Sequence, residues 1–170
     1  DVKINILDTP GHEDFAEDTY RTLTAVDSVI IVIDGAKGVE TQTRRLMDVC
    51  RMRKTPVIVF INKLDRPSKD PFDLLDEVES ELKIKVRPLA FPISSGDTFK
   101  GVYNIYEKNL SLFTSDERQT ADAETVEISD LASKEIEKYI GESFATQLRE
   151  NVDLVEGVYE PFRREDYLAG

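Results

Sequence analysis

The chain has 170 residues, of which 34 are acidic and 22 basic, and its formal net charge of −12 argues against a protein that coats nucleic acid or binds free DNA. Its length fits one domain, or one domain with a small insert. A single cysteine and the absence of any apolar run near the roughly 18 residues of a membrane span favour a cytoplasmic protein that does not associate with a membrane.

The first half of the chain alternates strand patterns with helix patterns. Val2, Ile4 and Ile6 alternate with polar residues, which predicts a strand with one buried face. Residues 29–33 and 57–61 are apolar and mostly β-branched, which is typical of parallel strands buried on both faces. Helical spacing of apolar residues follows each strand, so the order predicts an α/β fold with an open, mostly parallel sheet. Ligands of such sheets bind beyond the carboxyl ends of the strands.

The second half is less regular. Residues 100–113 alternate like strands, and the polar residues 114–125 predict a loop. Apolar residues four apart predict a helical segment over 131–155, which Gly141 can split and Gly157 can end. This half therefore predicts a smaller α+β unit.

The sequence Asp8-Thr9-Pro10-Gly11-His12 directly follows the first predicted strand. Asp8 is a hard oxygen ligand that can orient a magnesium-bound water. The backbone N–H of Gly11 can donate to an oxyanion, and His12 can polarise an attacking water. The alternative is an ordinary loop with a surface histidine.

The sequence Asn62-Lys63-Leu64-Asp65 directly follows the third predicted strand. A carboxylate at Asp65 can accept two parallel N–H bonds from guanine, which adenine cannot supply, and Asn62 can offer an amide to the ring. Lys63 can lay its stem along the sugar. The alternative is a helix-start cap. The two motifs in this order favour a GTP-binding protein.

A phosphate-binding loop requires Gly-Lys followed by Ser or Thr, and none of the eight glycines is followed by Lys. We therefore interpret the chain as a fragment whose phosphate-binding loop precedes Asp1, and we expect it to be inactive alone.

Both motifs resemble those of translational GTPases. The stretch 8–27 most resembles the bacterial peptide chain release factor three family, and the same resemblance covers residues 62–66, 70–71, 74–79, 99–103 and 147–149. Elongation factor G and the ribosomal protection proteins share the two short motifs but are less similar over residues 17–23, and both remain alternatives. A non-catalytic interaction module that retains relic GTPase loops is a third possibility.

The resemblance implies a ribosome-activated GTPase that acts in translation termination and recycles the decoding release factors. Its cofactors would be GTP or GDP with Mg²⁺, and its partners the ribosome and the decoding release factors. His12 would match the catalytic histidine, Gly11 the γ-phosphate sensor, and Asp8 the residue that holds Mg²⁺ through water. The implied nucleotide-binding residues are Asp8, Thr9, Pro10, Gly11, His12, Asn62, Lys63 and Asp65.

The resemblance also implies a domain division. Residues 1–93 would form a partial core of P-loop GTPase type, truncated so that the P-loop strand between the first two predicted strands is absent. Residues 94–157 would form the small α+β insert within the GTP-binding domain, and residues 158–170 would begin the return to the core.

A basic cluster lies on the predicted second helix. It consists of Arg44, Arg45, Arg51, Arg53 and Lys54. Contact with the ribosome is one interpretation, but we favour a solvated helix face.

Overall fold

Two sheets, one parallel and one antiparallel, organise the chain. The structure is a computed structural model that describes residues 3–9, 16–113, 124–128 and 130–170. The strands are β1 Val29–Asp34, β2 Val57–Asn62, β3 Ala90–Ile93, β4 Gly101–Asn104, β5 Asn109–Leu112 and β6 Glu124–Glu127. The helices are α1 Ala16–Leu23, α2 Thr41–Arg53, α3 Pro71–Leu82, α4 Glu135–Ile140, α5 Glu142–Val158 and α6 Arg164–Ala169.

The parallel sheet consists of β1 and β2, which pair from Val29↔Val57 to Asp34↔Asn62. Its inner face carries Ile31 and Ile33, which pack against the apolar sides of α2 and α3. Burial of these aliphatic side chains stabilises the unit by about 25 cal/mol for each Å² removed from water. The core on this face consists of Leu23, Ile31, Ile33, Val39, Met47, Cys50, Val78 and Leu82. A mixed α/β fold with a parallel sheet is therefore confirmed.

Two predictions about this sheet are wrong. Residues 3–9 form no strand, and Ile4 and Ile6 are 81% and 87% exposed. Ile30 and Val32 in β1 and Phe60 in β2 were predicted to be buried, but they are 64%, 58% and 54% exposed. The reason is that α2 and α3 cover only one face of the sheet. A strand also needs a neighbour for its backbone groups, and no described strand pairs with residues 3–9.

Helix ends follow local chemistry. Asp70 caps α3 as predicted, because its Oδ1 accepts the N–H of Phe72 at 2.8 Å while Pro71 occupies the first helical position. Gly141, with a φ of 88°, separates α4 from α5 as predicted. The prediction that Gly157 ends the helix is wrong, because α5 continues to Val158.

The antiparallel sheet has the strand order β3-β4-β5-β6. The predicted alternation over residues 100–113 is confirmed as a hairpin of β4 and β5. The predicted loop over 114–125 is wrong at its end, because Thr125 in β6 pairs with Ser111 in β5. Residues 114–123 of that loop lie outside the described residues. This sheet packs on α4 and α5 around Ile93, Tyr103, Leu110, Ile128, Ile136, Ile140, Ala145, Leu148 and Val152. The division at residues 93 and 94 stays a prediction.

Residues 159–170 connect the two units. The side chain of Arg87 donates to the carbonyl of Pro161 at 3.2 Å, and it forms ion pairs with Glu160 at 2.7 Å and Asp166 at 2.5 Å. The hydroxyl of Tyr167 lies 2.5 Å from Ser28 Oγ, one residue before β1. This segment, which we call the C-terminal strap, therefore returns from α5 to the start of the parallel sheet. None of the helices in the described part of the chain is long and apolar enough to cross a membrane.

Candidate functional site

The carboxyl ends of β1 and β2 place polar residues side by side. Asp34 ends β1 and Asn62 ends β2, and the two are register partners. Asn62 and the three residues that follow β2, Lys63, Leu64 and Asp65, form the segment predicted to bind guanine, and we call this segment the guanine loop. This is the edge of a parallel α/β sheet at which ligands bind.

The guanine loop is a tight turn. Lys63 adopts a left-handed backbone with φ 64°, and its N–H donates to Asn62 Oδ1 at 2.9 Å. Its carbonyl accepts the N–H of Arg66 at 3.1 Å, so Leu64 and Asp65 are the central residues of the turn. The side chain of Asp65 is exposed and has no hydrogen-bond or ion-pair partner among the residues that the structure describes. Its carboxylate is therefore available to a ligand.

Backbone bonds from two other loops hold this turn in place. The N–H of Gly35, after β1, donates to the carbonyl of Asn62 at 2.9 Å. The N–H of Gly96 donates to the carbonyl of Leu64 at 2.8 Å. A Cβ at position 35 would lie 3.0 Å from Leu64 Cδ2 and 3.2 Å from the carbonyl oxygen of Asn62. A larger residue at this position would therefore have to displace the side chain of Leu64 or the carbonyl of Asn62 by a few tenths of an ångström.

Asp34 forms an ion pair with Lys63 across the site. Lys63 Nζ lies 2.8 Å from Asp34 Oδ2, with 20% of the aspartate side chain and 47% of the lysine side chain exposed. The other oxygen, Oδ1, accepts the N–H of Ala36 at 2.9 Å and that of Lys37 at 3.4 Å. The hydrogen bond from Lys63, followed by that from Ala36, lowers the pKa of Asp34 to about 2. Its carboxylate therefore stays ionised at neutral pH.

The loop between β1 and α2 is anchored by α3. The N–H of Val39 donates to Glu77 Oε1 at 2.8 Å, and Lys69 Nζ lies 2.7 Å from Glu77 Oε2. The hydrogen bond from Lys69 is the main cause of a lowered pKa for Glu77. The loop that contains Gly35 is thus fixed at both of its ends.

The first motif is described only in part. Asp8 is exposed and Thr9 half-buried, whereas Pro10, Gly11 and His12 lie outside the described residues. Within the described part of the chain, no hydrogen bond or ion pair joins Asp8 or Thr9 to the guanine loop. Asp8 is the residue predicted to hold Mg²⁺, and its exposed carboxylate is a hard oxygen donor of the kind that this ion prefers.

The basic cluster on α2 is largely paired within the protein. Arg44 forms an ion pair with Glu81 at 2.6 Å, and Arg53 donates to the carbonyl of Thr24 at 3.0 Å. Arg51 pairs with Asp48 and also donates to the carbonyl of Leu82. Arg44 and Arg51 border a cleft of about 240 Å³ between α2 and the end of α3, and the guanine loop does not line it. The interpretation as a structural, solvated face is therefore favoured over a binding site.

A parallel sheet with an Asn-Lys-x-Asp turn at the end of one strand defines the class of GTP-binding domains. Residues 1–158 match the family model of the elongation factor Tu GTP binding domain, and the chain belongs to this family. The GTPase-domain class predicted from the two motifs is thereby confirmed.

A solved structure from Thermus thermophilus is similar to this chain, with a TM-score of 0.60 and 22% sequence identity. The similarity covers 88% of this chain but 21% of the solved one. At 22% identity this similarity supports the fold alone. The chain spans about a fifth of the length of the solved structure, so the activity and partners of the whole protein are treated below as proposals.

Proposed function

We propose that the natural protein containing this chain is a cytoplasmic, ribosome-activated GTPase that recycles the decoding release factors in translation termination. The observation that carries guanine binding is the turn at the end of β2, in which Asp65 presents an exposed carboxylate without a described partner. Membership of the elongation factor Tu GTP-binding family supports the nucleotide class.

In this proposal the guanine loop reads the base. Asp65 accepts from guanine N1–H and the 2-amino group, which adenine lacks. The Oδ1 of Asn62 accepts within its own loop, so its amide NH₂ is the group that donates to the ring. The stem of Lys63 lies along the nucleotide while its ammonium group stays with Asp34.

The first motif handles the phosphates and the attacking water. Asp8 would hold Mg²⁺ through water, and Thr9 and Pro10 are the next residues of the same motif. When bound, Mg²⁺ would neutralise the charge that develops on the phosphate oxygens. Gly11 donates its N–H to the terminal phosphate, and His12 positions the water that attacks it.

The basis of the proposed termination role is the resemblance of residues 8–27, 62–66, 70–71 and 74–79 to the release factor three family described in the sequence analysis. Residues 17–23, over which the resemblance to elongation factor G is weaker, lie in α1. We further propose that residues 1–93 belong to the GTPase core, that residues 94–157 form an insert, and that residues 158–170 return to the core.

Ribosome complexes stalled at different steps test the role. The full-length natural protein is mixed with GTP and either post-termination complexes holding a labelled decoding release factor or pre-translocation complexes. We expect GTP hydrolysis and dissociation of the release factor from the former, without translocation of the latter. Translocation would instead indicate an elongation factor G-like protein. No hydrolysis on either complex would contradict the proposal and favour a non-catalytic module.

A further inference from the structure

We propose that Asp34 is a positioning residue for guanine recognition, because it holds Lys63 in the orientation in which the lysine stem covers the nucleotide. This inference rests on the proposed function and adds a residue outside both sequence motifs. Asp34 ends β1, whereas Lys63 follows β2, 29 positions later in the chain.

The geometry gives Asp34 two separate tasks. One oxygen, Oδ2, receives the ammonium group of Lys63 at 2.8 Å. The other, Oδ1, accepts the N–H of Ala36 at 2.9 Å and so shapes the turn that contains Gly35. Gly35 in this turn donates its N–H to the carbonyl of Asn62. The carboxylate of Asp34 therefore contacts the lysine of the guanine loop directly and its backbone indirectly, through the turn at Gly35.

Lys63 needs such a restraint for two reasons. Its backbone lies in the left-handed region, which a residue with a Cβ rarely adopts and which persists only where the surroundings hold it. Its side chain has four rotatable bonds, and ordering such a long side chain on binding costs conformational entropy. A partner that orders this side chain before the nucleotide arrives removes part of that cost and slows nucleotide release.

The ion pair between Asp34 and Lys63 is suited to holding the lysine because it is partly shielded from solvent. Asp34 is the less exposed partner, and it retains its charge at neutral pH. Charge-assisted hydrogen bonds of this kind are stronger than neutral ones. Because almost half of the lysine side chain is exposed, high salt is expected to weaken the pair without abolishing it.

The test is a double-mutant cycle on the full-length natural protein. The variants are Asp34→Asn, Lys63→Met, the double variant, and the conservative Asp34→Glu. Asp34→Asn is informative because asparagine Oδ1 still accepts the N–H of Ala36, so only the ion pair is lost. Asp48→Asn is the matched control, since it makes the same charge change in a pair with Arg51 on α2.

Release of fluorescent GDP is measured by stopped flow, and thermal unfolding is measured on the same samples. Asp34→Asn is expected to speed GDP release by about fivefold to tenfold in a wild-type background and by less than twofold in a Lys63→Met background. Asp34→Glu is expected to restore much of the slow release. Higher salt should raise the rate of GDP release from wild type toward that of Asp34→Asn. Asp48→Asn should release GDP at the wild-type rate.

Three results would overturn the role of Asp34 while leaving the proposed function intact. They are unchanged release in Asp34→Asn, slower release, and an equal effect in both lysine backgrounds. A wild-type protein that binds no guanine nucleotide would contradict the proposed function and the role of Asp34 together.

Discussion

Replacement of Arg87 by alanine is expected to release the C-terminal strap. The arginine side chain is 18% exposed, but its ion-pair partners Glu160 and Asp166 are 61% and 50% exposed. Exposed pairs contribute about 0.2–1 kcal/mol each, and the bond to the Pro161 carbonyl contributes about 0.5–1.5 kcal/mol. Allowing for solvent screening, we expect about 1–2 kcal/mol of local stability to be lost.

Limited trypsin digestion measures this loss, because the strap contains the exposed bond between Arg163 and Arg164. If opening precedes cleavage, a loss of that size speeds cutting there by roughly 5- to 30-fold. The cleavage rate of Arg87→Lys should lie between those of wild type and Arg87→Ala, because lysine keeps the positive charge but not the forked geometry of the guanidinium group.

Arg21→Ala is the control, because its pair with Glu17 is 74% and 80% exposed and is expected to contribute little. The digestion is followed by mass spectrometry of the peptide that ends at Arg163. A cleavage rate for Arg87→Ala equal to that of wild type, with both proteins folded, would refute the reasoning.

Two further predictions concern the nucleotide. His12→Ala in the full-length natural protein should slow ribosome-stimulated GTP hydrolysis and leave nucleotide affinity nearly intact, because the imidazole acts on the attacking water in the transition state. Single-turnover hydrolysis measured beside affinity checks this, and an equal loss of both would place His12 in binding or folding. The 170-residue chain alone should show no submicromolar GTP binding by calorimetry, because none of its glycines precedes a lysine. Submicromolar binding would show that phosphate affinity arises from other residues.

Local chemistry made several elements predictable from the sequence. The apolar runs after positions 28 and 56 became β1 and β2, because five consecutive apolar residues are long enough for a strand and too short for a helix. Asp70 caps α3 and Gly141 separates α4 from α5, as predicted, because a helix cap and a glycine with positive φ depend only on neighbouring residues.

Burial was less predictable because it depends on what covers each face. The pattern of β1 fits a strand covered on both sides, but in the structure helices cover only the side of Ile31 and Ile33. Likewise, the alternation around Ile4 and Ile6 has no paired strand beside it among the described residues. Periodicity records which faces are apolar and does not record whether a neighbour is present.

The candidate site shows the same division. The sequence placed Asn62, Lys63 and Asp65 in one loop at a strand end, and the structure describes them there. It gave no sign of Asp34, because that residue contacts Lys63 only after β1 and β2 have paired in register. An acidic residue that ends one buried strand, followed by a lysine just past the next, is the pattern that could have indicated it.

The guanine loop is tested most directly by nucleotide competition between wild type and Asp65→Asn in the full-length natural protein. The amide would place a donor against a guanine donor, which costs roughly 1–3 kcal/mol and lowers GTP affinity by about tenfold or more. Xanthine carries a carbonyl where guanine has its amino group, so binding of XTP should improve. Asp70→Asn is the control, since asparagine caps α3 equally well. A folded Asp65→Asn protein that prefers GTP over XTP as strongly as wild type would contradict guanine recognition by this loop.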